Sequence, residues 1–244
     1  MPAALAALLV FVPAQGGGPF EQQYQGTLGG SRVGLTVVYQ GTAIASAHYF
    51  YQRYLADIPL TGSVENSRIT LQETAGVFHL HFVGNGSEGG RPLDFENSVG
   101  MEGEWTSADG RQSYPVKIGG VAGRAYAPGE RYYAAVTNES DAAFESRVQS
   151  LYRAVLGGDK PAAVRFISYP LTVNPANGVH KVYRSGAEVL AAWNQIFTPQ
   201  LIALLREDLP HEMFVHEGMA MLGNGEVWFD NKGLAVVNTP SPLP

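Results

Sequence analysis

The chain has 244 residues, 45% of them hydrophobic, which is enough to bury one or two cores. Its 16 basic and 22 acidic residues give a net charge of −6 with no Lys/Arg cluster, so no nucleic-acid partner is expected. The absence of cysteine excludes disulfides, thiolate metal sites and a cysteine nucleophile.

The first recognisable feature is the apolar run 3–12. A membrane-spanning helix needs roughly 20 apolar residues, so this run is too short to cross a bilayer. Its length and the small residues up to Ala14 are typical of a secretory signal peptide over residues 1–14, although its beginning carries neither Lys nor Arg. The sequence therefore predicts a periplasmic or secreted protein that does not span a membrane.

Short apolar runs separated by turn residues fill the segment 18–120. Residues 33–39 alternate as in a half-buried strand, and about eight such runs follow without a helical pattern. The segment is predicted to be an antiparallel β-barrel-like domain. Tyr49, Tyr51 and Trp105 leave two interpretations open: an aromatic platform at the barrel mouth, or side chains that fill the core of a small barrel, which is the more common use.

Several motifs in this region resemble a β module that recurs in exported bacterial proteins without assigned activity. The module has a Gly-x-Tyr-x-Tyr strand, an Ile-x-Leu-x-Gly strand, a Leu-x-Glu strand and a closing Gly-x-Trp. The matching segments here are 47–51, 58–62, 71–73 and 103–105, with Ala47 where the module has glycine. The resemblance implies a β domain and no particular activity.

Beyond the β region, residues 121–139 are rich in Gly, Ala and Pro and are predicted to form a linker. Helical periodicity then begins after Ser140, a residue type that caps helix N-termini. Asp159 is predicted to cap a second, short helix, and 169–173 to form an edge-type strand because a proline lies within it. Ser185 and the glutamate three residues later form a capping box that opens a further helical region.

The last segment, 212–238, contains short apolar runs separated by Gly218, by 223–225 and by 231–233. Asn-Gly between β-type runs is a strong hairpin signal, because a type I′ turn needs positive φ at both central residues. We therefore predict a three-stranded antiparallel meander covered by the preceding helices.

This order of elements resembles the nuclear transport factor two-like cone, the fold shared with ketosteroid isomerase. The segments that carry the resemblance are 151–155, 169–171, 196–199 and 225–229. It implies a cone-shaped α+β domain over 140–240, in which helices lie over a curved antiparallel sheet and leave a conical cavity. The predicted fold class is thus α+β, with the barrel-like domain first and the cone second.

The candidate catalytic residues are Glu226, Asp230 and His211. Glu226 and Asp230 share a strand face with Trp228, because side chains alternate along a strand. A carboxylate beside Trp228 in an apolar cavity would act as a general base, whereas in the alternative interpretation both carboxylates flank turns and are solvated. His211 is a candidate acid–base group near pH 7, or a partly exposed structural histidine, and the sequence names no partner that would orient it.

The candidate ligand-binding residues of the cone cavity are Tyr169, Tyr183, Met221 and Trp228. No metal site and no cofactor are predicted. The pair His79 and His81 shares a strand face without a third ligand. The histidines around Glu212 are spaced wrongly for a zinc-binding His-Glu-x-x-His helix. A Gly-x-Gly-x-x-Gly match at 84–89 has no helix after it and is predicted to be a hairpin tip.

Two cavity-forming folds without a recognisable catalytic constellation favour a non-catalytic exported protein that binds a small apolar ligand, an envelope component or a protein partner. The alternative is an isomerase- or hydrolase-type enzyme with its active site in the C-terminal cone. A homodimer through the C-terminal domain is a further expectation.

Overall fold

The computed structural model describes residues 18–84, 91–176 and 178–240. The predicted signal peptide and most of the glycine-rich segment 84–89 lie outside these ranges. The chain divides into two compact units, Met1–Pro128 and Gly129–Pro244, here called unit 1 and unit 2. None of the helices in the described ranges has the length and apolarity needed to cross a membrane.

Unit 1 is a closed barrel of eight antiparallel strands, so the predicted barrel is confirmed. Each strand pairs with the next along the chain, and β1 pairs with β8, which leaves no open sheet edge. The strands are β1 Phe20–Leu28, β2 Ser31–Gln40, β3 Ala43–Tyr51, β4 Ile58–Glu65, β5 Arg68–Gln72, β6 Gly76–Val83, β7 Gly100–Ser107 and β8 Ser113–Ala125.

Side chains fill the inside of the barrel, as expected for a barrel of this strand number. At the end where the chain enters β1, the phenol oxygens of Tyr24 and Tyr39 lie 3.3 Å apart. Phe95, in the connection that leads into β7, stacks on Tyr39 with ring centroids 4.2 Å apart. The opposite end carries the β1–β2, β3–β4, β5–β6 and β7–β8 connections, and we call it the rim.

Unit 2 contains a mixed six-stranded sheet with few helices, in the strand order β10-β9-β14-β13-β12-β11. Strands β14 and β9 are parallel, and all other neighbours are antiparallel. The strands are β9 Ile167–Pro175, β10 Lys181–Tyr183, β11 Phe214–His216, β12 Met219–Leu222, β13 Val227–Phe229 and β14 Leu234–Thr239. The helices are α1 Asp141–Leu156, α2 Lys160–Ala163, α3 Gly186–Ala191, α4 Trp193–Ile196 and α5 Pro199–Glu207, with a 3-10 turn at Val164–Phe166.

The helix starts predicted from capping residues are confirmed. The side chains of Ser140, Asp159 and Ser185 each accept a hydrogen bond from a backbone N–H in the first turn of the helix that follows. In the predicted capping box, the carboxylate of Glu188 reaches one residue beyond the N-cap Ser185 and accepts from the backbone N–H of Arg184 at 2.8 Å.

The C-terminal meander differs from its prediction in strand number and in turn position. It has four antiparallel strands, β11 to β14, rather than three. The two-residue turn with positive φ at both positions is Glu217 and Gly218, whereas Asn224 lies in a four-residue connection between β12 and β13. The backbone pairing on either side, rather than the Asn-Gly signal alone, decides where the tight turn falls.

The boundary between the units is sharper than the predicted linker over 121–139. Strand β8 continues to Ala125, and Tyr133 and Val136 are buried in the core of unit 2. One face of the sheet carries this core, together with apolar residues of α1, α3, α4 and α5. The mixed sheet corrects the expected purely antiparallel one, and the cone shape itself stays a prediction.

Candidate functional site

The four predicted ligand-binding residues lie on two different faces of the unit 2 sheet. Tyr169 and Tyr183 pack against the core on the helix-covered face, and the Tyr169 hydroxyl donates to the Val164 carbonyl at 3.0 Å. Met221 and Trp228 are register partners that alternate with core residues and therefore point to the opposite face. The structure does not bring these four residues into one cavity.

Met221 and Trp228 belong instead to a row of register partners that crosses all six strands. None of the six side chains is charged, and all are half-buried or exposed. We call this set the outer row; from one sheet edge to the other it consists of Val182, Thr172, Val236, Trp228, Met221 and Phe214.

The candidate carboxylates Glu226 and Asp230 flank β13 and hold its turns. Asp230 Oδ1 accepts from the backbone N–H of Lys232 at 2.7 Å and of Gly233 at 3.0 Å, and Oδ2 accepts from Ser168 Oγ at 2.7 Å. Glu226 Oε2 accepts from the backbone N–H of Asn224. These contacts match the turn-flanking interpretation of both residues.

His211 has an orienting partner that sequence reasoning did not identify. Its Nδ1 lies 2.5 Å from Glu145 Oε2, and both side chains are largely buried, at 11% and 12% exposure. Glu145 Oε1 accepts from the Tyr133 hydroxyl at 2.7 Å and from the backbone N–H of Glu212 at 2.8 Å. Burial, followed by the charge of Glu145, raises the pKa of Tyr133 well above its ordinary value. We call Glu145, His211 and Tyr133 the Glu145 cluster.

A sequence signal for Glu145 exists, although it is faint. Glu145 lies three residues before Val148, so a helix places it beside the apolar face rather than on the opposite side. A carboxylate at such a position needs a donor when the helix is packed. Nothing local shows that the donors come from residues 133 and 211.

A second carboxylate, which is half-buried, lies near the rim of unit 1. Glu73 Oε1 accepts from the Tyr49 hydroxyl at 2.7 Å and from Trp105 Nε1 at 3.1 Å. Tyr51 meets Tyr49 edge-on, with ring centroids 5.5 Å apart, and Tyr114 stacks on Trp105 at 5.9 Å. Burial, followed by the hydrogen bond to Glu73, raises the pKa of Tyr49. We call these five residues the Glu73 cluster.

The Glu73 cluster joins three motifs that are separate in the sequence. Tyr49 and Tyr51 come from the Tyr-x-Tyr strand, Glu73 from the Leu-x-Glu strand and Trp105 from the Gly-x-Trp strand. Tyr49 and Trp105 are buried in the barrel core, which matches the core interpretation for these two. Tyr51 is half-buried and also reaches a surface pocket.

That pocket has a volume of about 390 Å³ and lies at the rim, between the β1–β2 turn and the β3–β4 connection. We call it the rim pocket, and its lining residues are Gly30, Ser31, Arg32, Tyr51, Gln52, Arg53 and Tyr54. Arg53 Cζ lies 5.5 Å from the centroid of the Tyr54 ring. Tyr54 is 67% exposed, which is unusual for so large a side chain.

The two barrel histidines face solvent. His79 and His81 alternate with buried Phe78, Leu80 and Phe82 along β6 and are exposed. In the described part of the chain, no three His, Asp or Glu side chains are grouped closely enough to hold a metal ion.

Both resemblances suggested by the sequence remain predictions after comparison with known proteins. Searches against protein-family models, curated proteins and solved structures give no match to this chain.

Proposed function

We propose that this protein is a non-catalytic binding protein that holds a small molecule in the rim pocket of unit 1. The observation that carries the proposal is the pocket itself. Its volume of about 390 Å³ falls within the usual range of ligand sites, about 300–1,000 Å³. Its lining combines two tyrosine rings with the polar side chains of Ser31 and Gln52 and with two arginines, and polar groups of this kind orient a ligand.

The lining residues support binding rather than turnover. Ser31 supplies the one aliphatic hydroxyl, and the seven lining residues include no histidine and no carboxylate that could activate it. A hydroxyl without an adjacent base is a poor nucleophile. The periplasmic or secreted location is part of this proposal and rests on the apolar run 3–12.

Saturation-transfer NMR with a library of small aromatic and aliphatic fragments tests this function. Gly30 has open space around the position of a Cβ atom, so Gly30→Phe should fill the pocket and abolish the signals of its ligands. Gly18 is equally open and does not line the pocket, so Gly18→Phe is the matched control. The proposal fails if no fragment binds, or if Gly30→Phe changes binding no more than Gly18→Phe does.

A second candidate is an acid–base enzyme of the isomerase or hydrolase type in unit 2. The observation that favours it is the 2.5 Å contact between His211 Nδ1 and Glu145 Oε2, because a carboxylate on Nδ1 fixes the imidazole tautomer and its orientation. Activity on a panel of nitrophenyl esters and enolisable ketones would have to fall sharply in His211→Gln. Unchanged turnover in that variant removes this candidate.

The homodimer through unit 2 remains a proposal, and the outer row is the surface that supports it. The row crosses six strands, a width of about 24 Å. Because its side chains are neutral, two copies can meet there without opposing like charges, despite the net charge of −6. Sedimentation equilibrium should show a dimer that Trp228→Lys dissociates. A monomer at all concentrations contradicts the proposal.

A further inference from the structure

We propose that the ligand of the rim pocket is a small aromatic anion, a planar ring that carries a carboxylate. This inference rests on the proposed function and adds the chemical class of the ligand. It follows from the charge of the lining, the placement of its rings and the way its connection is held.

The charge of the rim pocket is opposite to that of the whole chain. Two of its seven lining residues are arginines and none is acidic, although the chain carries 22 acidic and 16 basic residues. Arg32 lies at the start of β2, and Arg53 lies in the connection after β3. A guanidinium group presents parallel N–H donors that match the two oxygens of a carboxylate.

The rings beside these arginines provide a flat apolar surface. Tyr51 and Tyr54 meet edge-on, with ring centroids 6.4 Å apart. The guanidinium of Arg53 is near the Tyr54 ring, so a ring that covers Tyr54 can keep its carboxylate close to Arg53. Covering an exposed aromatic ring removes apolar surface from water and favours binding.

Backbone hydrogen bonds hold the β3–β4 connection in place. The N–H groups of Tyr54 and Leu55 both donate to the carbonyl of Tyr51, at 2.9 and 2.8 Å, and the N–H of Gln52 donates to the carbonyl of Arg32 at 3.0 Å. The last bond ties the connection to β2, so both sides of the pocket are fixed before a ligand arrives. A fixed site loses less conformational entropy on binding.

The nearby carboxylate of Glu73 does not reverse this choice of ligand charge. It is not a lining residue, and although its negative charge acts on Tyr51, the two lining arginines carry twice the opposite charge. Tyr51 belongs to both sets and contributes a ring rather than a charge. A cationic ligand would have to approach Arg53 without a lining carboxylate to offset the repulsion.

Isothermal titration calorimetry with three probes of similar shape tests the inference: benzoate, benzyl alcohol and benzylammonium. We expect benzoate to bind about tenfold or more tightly than benzyl alcohol, and benzylammonium to bind most weakly. Arg53→Gln should remove most of the benzoate preference, so that benzoate and benzyl alcohol bind with similar affinities. Arg68→Gln is the matched control, because Arg68 is an exposed arginine at the barrel end opposite the rim. Added salt should weaken benzoate binding selectively.

The outcomes separate this inference from the function on which it rests. If fragments bind in a Gly30→Phe-sensitive manner but benzoate binds no better than benzyl alcohol, the anion inference is overturned and ligand binding stands. A preference for benzylammonium, or a benzoate preference that survives Arg53→Gln, also overturns it. If no fragment and no probe binds at millimolar concentration, the proposed function fails as well.

Discussion

Each unit of this protein contains a carboxylate held by a tyrosine hydroxyl, and the two clusters differ in what else they include. In unit 1, Glu73 accepts from Tyr49 and from Trp105, so every donor is a neutral side chain. In unit 2, Glu145 accepts from Tyr133 and a backbone N–H and also contacts His211. The first joins strands of one barrel, and the second joins helix α1 to the segment that leads into β11.

The difference indicates how much each carboxylate contributes to the stability of its unit. Glu73 is half-buried near the rim and accepts from two neutral donors. Glu145 is nearly enclosed, and its removal takes an acceptor from several buried groups. Because an unsatisfied buried polar group costs more than a hydrogen bond contributes, the Glu145 cluster should matter more for stability.

The largest effect is expected for Glu145→Ala. This substitution leaves the Tyr133 hydroxyl, the backbone N–H of Glu212 and the His211 ring without their acceptor, and should lower the free energy of unfolding of unit 2 by about 3 kcal/mol. Urea unfolding, monitored by hydrogen exchange of the backbone amides of α1, measures this loss of stability. The control Glu130→Ala removes an exposed carboxylate and should change stability by less than about 0.5 kcal/mol. A loss no greater than that of the control contradicts the prediction.

Alkaline pH should destabilise unit 1 more steeply than unit 2. Burial raises the pKa values of Tyr24, Tyr39, Tyr49, Tyr51, Tyr133 and Tyr169, so folding favours their protonated forms. Their stabilisation is complete below the ordinary tyrosine pKa of about 10 and is lost as pH rises above it, at about 1.4 kcal/mol per pH unit for each group.

Four of these tyrosines (Tyr24, Tyr39, Tyr49 and Tyr51) lie in unit 1 and two (Tyr133 and Tyr169) lie in unit 2, so the slope should be about twice as large for unit 1. Absorbance at 295 nm reports phenol ionisation. Trp105 is the only tryptophan of unit 1, and its fluorescence in a Trp193→Phe, Trp228→Phe variant follows that unit alone. Ionisation of all tyrosines near pH 10 without loss of stability would falsify the assignment.

A smaller effect is expected for Glu73→Ala, a loss of about 1.5 kcal/mol in the free energy of unfolding of unit 1, because only two donors, the Tyr49 hydroxyl and the Trp105 N–H, lose their shared acceptor. The unfolding midpoint measured by Trp105 fluorescence tests it. Glu65→Ala, at the other end of the barrel and exposed, is the control. A loss as large as that of Glu145→Ala would remove the contrast between the clusters.

The smallest effect is expected for Glu73→Gln. Its free energy of unfolding should fall by less than about 0.5 kcal/mol, because an amide oxygen can accept from both neutral donors. The matching Glu145→Gln variant should lose more stability, because a carboxylate forms a charge-assisted hydrogen bond with His211 and an amide does not. Parallel urea titrations of the two variants make the comparison. Equal losses would mean that His211 adds nothing to its cluster.

The residues that define the clusters could be predicted from the sequence only in part. Tyr49, Tyr51, Glu73 and Trp105 stand out as motif residues, and His211 as an acid–base candidate, but their partners do not. Glu145 lies 66 residues before His211, and no local pattern joins them. The rim pocket was not predicted, because its lining comes from two connections that the antiparallel pairing of β2 with β3 brings together.

The sequence by itself determined the features that depend on near neighbours along the chain. Alternation predicted the strands of the barrel, and capping residues such as Ser140 and Ser185 predicted helix starts, because the first-turn N–H groups they bind are only three residues away. Tertiary structure decided strand register, and register placed Trp228 on the face opposite Tyr169. It also decided which donors surround Glu73 and Glu145, since contacts between distant residues are fixed by packing of the whole unit rather than by local preference.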